Sequence, residues 1–102
     1  MSGWTAKAHP LAEIELKALP TDMRARFLRI AELLEAFGPE KVGLPHIRPL
    51  EGKLWEMRMQ ARAVYAAVHG RTLLVLHAFV KKTQTTPRAA IATAHKRLES
   101  ET

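Results

Sequence analysis

The 102-residue chain has no cysteine. Disulfide cross-links, a thiolate nucleophile and a Cys-ligated zinc are therefore excluded. Aspartate occurs once, at Asp22, and the sheet-forming half before the last expected helix has only two carboxylates, Glu51 and Glu56. Hydrolytic metal centres usually hold Mg²⁺ through carboxylates. The five histidines show neither an HExxH motif nor a paired i, i+4 spacing. No metal or other cofactor is expected. No apolar run approaches the roughly 20 residues that span a bilayer. The opening segment, MSGWTAKAHP, lacks the apolar core of a secretory leader. These absences point to a cytoplasmic protein without a membrane partner.

Positive charge is plentiful. Sixteen Lys and Arg face ten Asp and Glu, a formal net charge of +6, and the pI is near 10.2. A small basic chain suits a polyanionic partner, nucleic acid being the commonest, although a basic surface also keeps a protein soluble. The length predicts one domain over residues 1–102.

Trp4 to His9 reads as a short strand. Pro10 suits the first turn of a helix, where its missing N–H costs nothing, and Leu11, Ile14 and Ala18 recur at helical spacing up to Pro20. A second helix follows, with Thr21 or Asp22 as its cap and Met23, Phe27, Ile30, Leu34 and Phe37 as its apolar stripe. Arg24, Arg26, Arg29, Glu32 and Glu35 fall off that stripe, and Gly38-Pro39 ends the helix. The two helices are expected to form an antiparallel hairpin. Residues 39–53 read as an extended connection rich in Pro and Gly. Trp55, Met57 and Met59 then alternate with Glu56, Arg58 and Gln60 as in a strand. His69-Gly70-Arg71 signals a turn, and TLLVLHAFV (Thr72 to Val80) reads as a buried strand. Thr86-Pro87 opens a last helix with Ile91, Ala94 and Leu98 inward. The order β-α-α-β-β-β-α predicts an α+β fold, two N-terminal helices and a C-terminal helix on one face of a small, mainly antiparallel sheet.

Gly52 to Arg58 (GKLWEMR) followed by Leu76 to Pro87 (LHAFVKKTQTTP) resembles the phage-derived HigB-like branch of the HigB/RelE-like type II toxins. Arg62-Ala63-Val64-Tyr65 is similar to that family's Arg-x-x-Tyr strand. Pro45 to Leu50 resembles its approach to the Trp strand. The resemblance covers essentially the whole chain. In one respect the sequence departs from it. The family carries a Gly-containing turn between the LWEMR and Arg-x-x-Tyr strands, whereas Met59-Gln60-Ala61-Arg62 runs on without one. Either the turn is shortened here or a loop is absent between Gln60 and Ala61, and the second is the expectation.

The resemblance implies a RelE-like toxin acting as a metal-independent messenger-RNA endoribonuclease, in most relatives on the ribosome. It also implies a helix-turn-helix antitoxin of the HigA type as partner. The chemistry it implies is attack of a ribose 2′-OH on the adjacent phosphate, giving a 2′,3′-cyclic phosphate and a 5′-hydroxyl. That reaction needs cations for the phosphoryl charge together with a base and an acid. Arg62 with Lys81 or Lys82 is expected to hold the scissile phosphate, supported by Arg58. Tyr65 can bond a phosphate or stack on a base, and can equally fill the core. His77 is a proton-transfer candidate that can also point inward. His46, Arg48, Thr83 and Arg88 complete the expected RNA-binding set, with Thr83 and Thr86 also suited to a turn and a cap. Glu56 is read as a structural partner of a nearby arginine. ParE-like relatives share the fold and inhibit DNA gyrase by protein contact, which stands as the alternative.

Overall fold

The computed structural model describes residues 3–43, 46–58, 61–68, 70–80 and 86–101. In chain order the elements are β1 (Thr5–Ala8), α1 (Pro10–Lys17), α2 (Thr21–Phe37), a short α3 (Pro39–Val42), β2 (Ile47–Pro49), β3 (Leu54–Arg58), β4 (Ala61–Val68), β5 (Thr72–Val80) and α4 (Arg88–Ser100). The strands form one sheet in the order β1-β5-β4-β3-β2. β1 runs parallel to β5, and the other three pairings are antiparallel. Residues 39–53, expected as an extended connection, contain α3 and β2.

The uninterrupted stretch after Lys53 is a hairpin. Arg58 stands opposite Arg62 and Leu54 opposite Ala66. The site of the expected loop, at Met59 and Gln60, lies outside the described residues. The next reversal uses Gly70 at φ 73° and Arg71 at φ 54°, the left-handed conformations that a tight hairpin demands.

Strand alternation sends apolar side chains to both faces of the sheet, and helices cover both. Met57, Ala63, Tyr65, Leu73 and Val75 pack with Ala12 and Leu16 of α1 and Phe27, Ile30, Ala31 and Leu34 of α2. Leu54, Val64, Ala66, Leu74 and Leu76 pack with Ile91 and Ala94 of α4. The three main helices thus enclose the sheet, where the sequence suggested a single covered face. β4 is buried from Ala61 to Ala66 without a polar alternation, as a strand covered on both sides must be.

Three local expectations change. α1 docks through Ala12 and Leu16, leaving Leu11 and Ile14 exposed. On α2, Phe27, Ile30 and Leu34 are buried but Phe37 is 59% exposed, because Gly38 at φ 82° turns the chain away immediately after it. Pro20 occupies the N-cap of α2 and no side chain caps it, so Thr21 and Asp22 fall inside the first turn, where Asp22 still favours the helix dipole. No described helix is long and apolar enough to cross a membrane.

Candidate functional site

The cationic centre lies where β2, β3 and β4 meet. Arg48 stands opposite Glu56 across β2 and β3. Arg58 stands opposite Arg62 across β3 and β4. Alternation puts all four on the face that α4 covers. Glu56 is fully buried. Its Oε1 accepts Arg48 Nε at 3.0 Å and lies 3.5 Å from Arg62 Nε. Its Oε2 accepts the hydroxyl of the buried Thr86. A carboxylate can be buried only when such partners replace water. The reading of Glu56 as an arginine's structural partner is thereby given its geometry, with two arginines instead of one. Thr86, expected to cap the last helix, ties the approach to α4 to this centre.

Arg62 is 6% exposed, and its Nη1 donates to the Ala61 carbonyl at 3.1 Å. Burial pushes its guanidinium below the ordinary arginine value. Glu56 opposes that shift, while Arg58 and Arg48 reinforce it. Arginine stays protonated regardless. Two guanidiniums on one carboxylate, with Arg58 opposite Arg62, keep the centre positive. Arg48 and Arg58 are half-buried, so direct contact with a ligand falls to them before Arg62.

A second concavity of about 320 Å³ adjoins this centre, lined by Arg26, Arg29 and Ile30 of α2, by His46 and by Arg58. The Arg58 N–H donates to the His46 carbonyl at 2.7 Å, fixing the two together. Arg26 and Arg29 were legible as off-stripe residues of a helix, but nothing in the sequence said that the end of β3 would face them.

Other expected residues lie elsewhere. Tyr65 is fully buried in the core beneath α1 and α2. Desolvation pushes its phenol well above the ordinary value, so it neither reaches RNA nor serves as a base. His77 Nδ1 lies 2.9 Å from Glu15 Oε1, and its ring packs 5.0 Å from that of Phe79. It belongs to a cluster joining α1, β5 and α4. Arg88 is exposed and paired with Glu51 at 2.8 Å, beyond the other end of β3 from Arg58. Lys81, Lys82 and Thr83 lie outside the described residues. Among the described residues no three His, Asp or Glu side chains gather as a metal site would require.

A family model described as "Phage derived protein Gp49-like" matches residues 14–99. No curated protein matches significantly. Among solved structures, the chain resembles the toxin RelE of Escherichia coli, a mutant in the free state, with a TM-score of 0.71 and 14% identity over 96% of this chain and 99% of that one. It is similar to a chain of the archaeal RelE–RelB complex of Pyrococcus horikoshii, with a TM-score of 0.64 and 23% identity over 76% and 94% of the two chains. A chain of the toxin–antitoxin complex RelBE2 of Mycobacterium tuberculosis gives a TM-score of 0.61 and 19% identity over 78% and 99%. These identities establish the fold, which is α+β and RelE-like.

Proposed function

The chain belongs to the phage-derived Gp49-like family, a RelE-like toxin family, and we propose on that basis that it is a toxin that cuts messenger RNA without a metal ion. Arg48 and Arg62 on one buried carboxylate, with Arg58 opposite Arg62 across the strands, carry this reading. Arg58 and Arg48 meet the scissile phosphate, and Arg62 adds its field from within the sheet. Lys81 and Lys82, which follow β5 directly in sequence, supply mobile charges to the same phosphate. The substrate's own 2′-OH attacks, the phosphoryl charge is spread over these cations, and the products carry a 2′,3′-cyclic phosphate and a 5′-hydroxyl. His46, beside Arg58, is the accessible imidazole for proton transfer.

The protein acts in the cytoplasm on ribosome-engaged transcripts and is restrained by a helix-turn-helix antitoxin of the HigA type. Leu11, Ile14, Leu28 and Phe37, exposed on the N-terminal helices, offer apolar surface for such a partner.

The test is cleavage of a defined transcript, free and on stalled ribosomes, in excess chelator, with mapping of 5′ ends. Wild-type protein should cut and leave 5′-hydroxyl ends. Arg58→Ala should lower the rate about 100-fold, the usual cost of one electrostatic donor, and Lys81→Ala should lower it similarly. A wild-type protein that cuts neither substrate yet blocks gyrase supercoiling would overturn the proposal in favour of a ParE-like toxin.

A further inference from the structure

We infer that the groove between α2 and the end of β3 is a second phosphate-binding site, one that grips the sugar–phosphate backbone of single-stranded RNA beside the cleavage centre. The inference rests on the ribonuclease reading above and adds a site to it. Arg26 and Arg29 are three residues apart, so they stand as neighbours on one helix surface, where like charges repel. Both are exposed. Arg58 and His46 close the same concavity. Among the described residues, none of these four has a carboxylate within ion-pair distance. The contrast with Arg48, Arg88 and Arg97, each held by a glutamate at 2.8–3.0 Å, is direct.

Arg58 adds a second observation. Its buried Nε has no hydrogen-bond partner among the described residues. Buried donors are almost always satisfied, so the Arg58 side chain is left uncommitted beside a groove where a turn of its guanidinium meets a phosphate oxygen. A guanidinium also holds a phosphate bidentately. The lining decides the ligand class. Among the described residues Ile30 is the one apolar side chain of the lining, beside three guanidiniums and one imidazole, so what a ligand meets there is mainly positive charge and N–H donors. Such a lining suits phosphates, whose contacts carry no sequence information. Arg58 lines the groove and also stands opposite Arg62, so a strand lying in the groove leads to the cleavage centre.

The test is binding of a fluorescent 12-nucleotide 2′-O-methyl oligouridine, which has no free 2′-OH and cannot be cut by internal attack. Its affinity is measured from low to moderate salt. Arg26→Ala/Arg29→Ala should weaken binding at least tenfold. It should also flatten the plot of log K against log salt by about 1.4, or roughly 0.7 for each lost single-strand phosphate contact. Lys7→Ala/Lys17→Ala removes the same charge from exposed positions on β1 and α1, and should stay within twofold of wild type.

An unchanged affinity and slope in the groove variant would overturn the inference. An equal loss in the Lys variant would also overturn it, by reducing the effect to net charge. So would a loss confined to a 12-residue polyglutamate probe, which would assign the groove to an acidic protein segment. Wild-type binding that depends on Arg26 and Arg29, without cleavage of natural RNA, would keep the groove and remove the ribonuclease reading instead.

Discussion

Tyr65 and Glu56 show how differently two buried polar groups can be treated within one sheet. The Tyr65 hydroxyl is buried without a hydrogen-bond partner among the described residues. An unsatisfied buried donor costs about 1–3 kcal/mol. Tyr65→Phe is therefore expected to raise stability by about 1 kcal/mol in urea denaturation and to leave RNA cleavage intact. A loss of cleavage would show that the phenol reaches the substrate. Glu56 is the opposite case, with every oxygen engaged. Glu56→Gln keeps its size but removes the buried charge that Arg48 and Arg62 both face, and stability should fall by about 3 kcal/mol. Circular dichroism against urea measures it, and a change below 1 kcal/mol would mean that the arginines find other anions. The Leu-Trp-Glu-Met-Arg pattern pointed to Glu56 as an arginine's partner. Strand alternation over Arg-Ala-Val-Tyr puts its tyrosine and arginine on opposite faces, and only the packing of α1 and α2 makes the tyrosine's face the closed one.

At the scale of elements, one glutamate joins three of them. Glu15 on α1 accepts two hydrogen bonds from Arg97 of α4, at 2.8 and 2.9 Å. It also accepts the backbone N–H of Ala78 at 3.1 Å and lies 2.9 Å from His77 Nδ1, both on β5. The pairing of β4 with β5 slips between Val64–His77 and Tyr65–Val75, so Leu76 has no partner in β4. Its carbonyl accepts Arg97 instead. Burial alone raises the Glu15 pKa, but the hydrogen bonds from Arg97, His77 and Ala78 outweigh it and bring the value from 4.5 to about 2. A carboxyl whose folded pKa is depressed stabilises the fold above its unfolded pKa. That contribution is lost as pH falls from 4.5 towards about 2. The unfolding free energy from urea titrations across that window should decline by about 2 kcal/mol in wild type. Glu15→Gln should be less stable at pH 7 and show a flatter acid limb. Equal acid limbs would remove Glu15 as the cause. The helix itself was legible from Pro10 onwards, but its buried face was not. In so short a helix, Leu11, Ile14 and the C-cap Ala18 make as good a stripe as Ala12 and Leu16, and docking against β5 decided between them.

For the whole molecule, the central question is how two cores share one sheet. The α1/α2 core contains Tyr65, Met57 and Leu34, with Trp4 and Trp55 packed against it. The α4 core is smaller. Both are built on β4 and β5, so they should unfold together. Leu76→Ala, on the α4 side and fully buried, is expected to cost about 3 kcal/mol. It should shift tryptophan fluorescence, which reports the opposite core, and far-UV circular dichroism to the same midpoint. Separate midpoints would show that α4 and its core melt on their own.

Charge balance, the missing cysteines and the run of apolar and polar periods determined a basic α+β chain, because these follow from composition and local repeat alone. They also marked the longer strands and helices, but not α3 and β2. The faces those elements presented were decided only on folding. The sheet is covered on both sides, Tyr65 turns inward while Arg62 turns to Glu56, and α2 brings Arg26 and Arg29 to the end of β3. Such placements depend on contacts between residues far apart in the chain, and a linear pattern of spacing does not contain them.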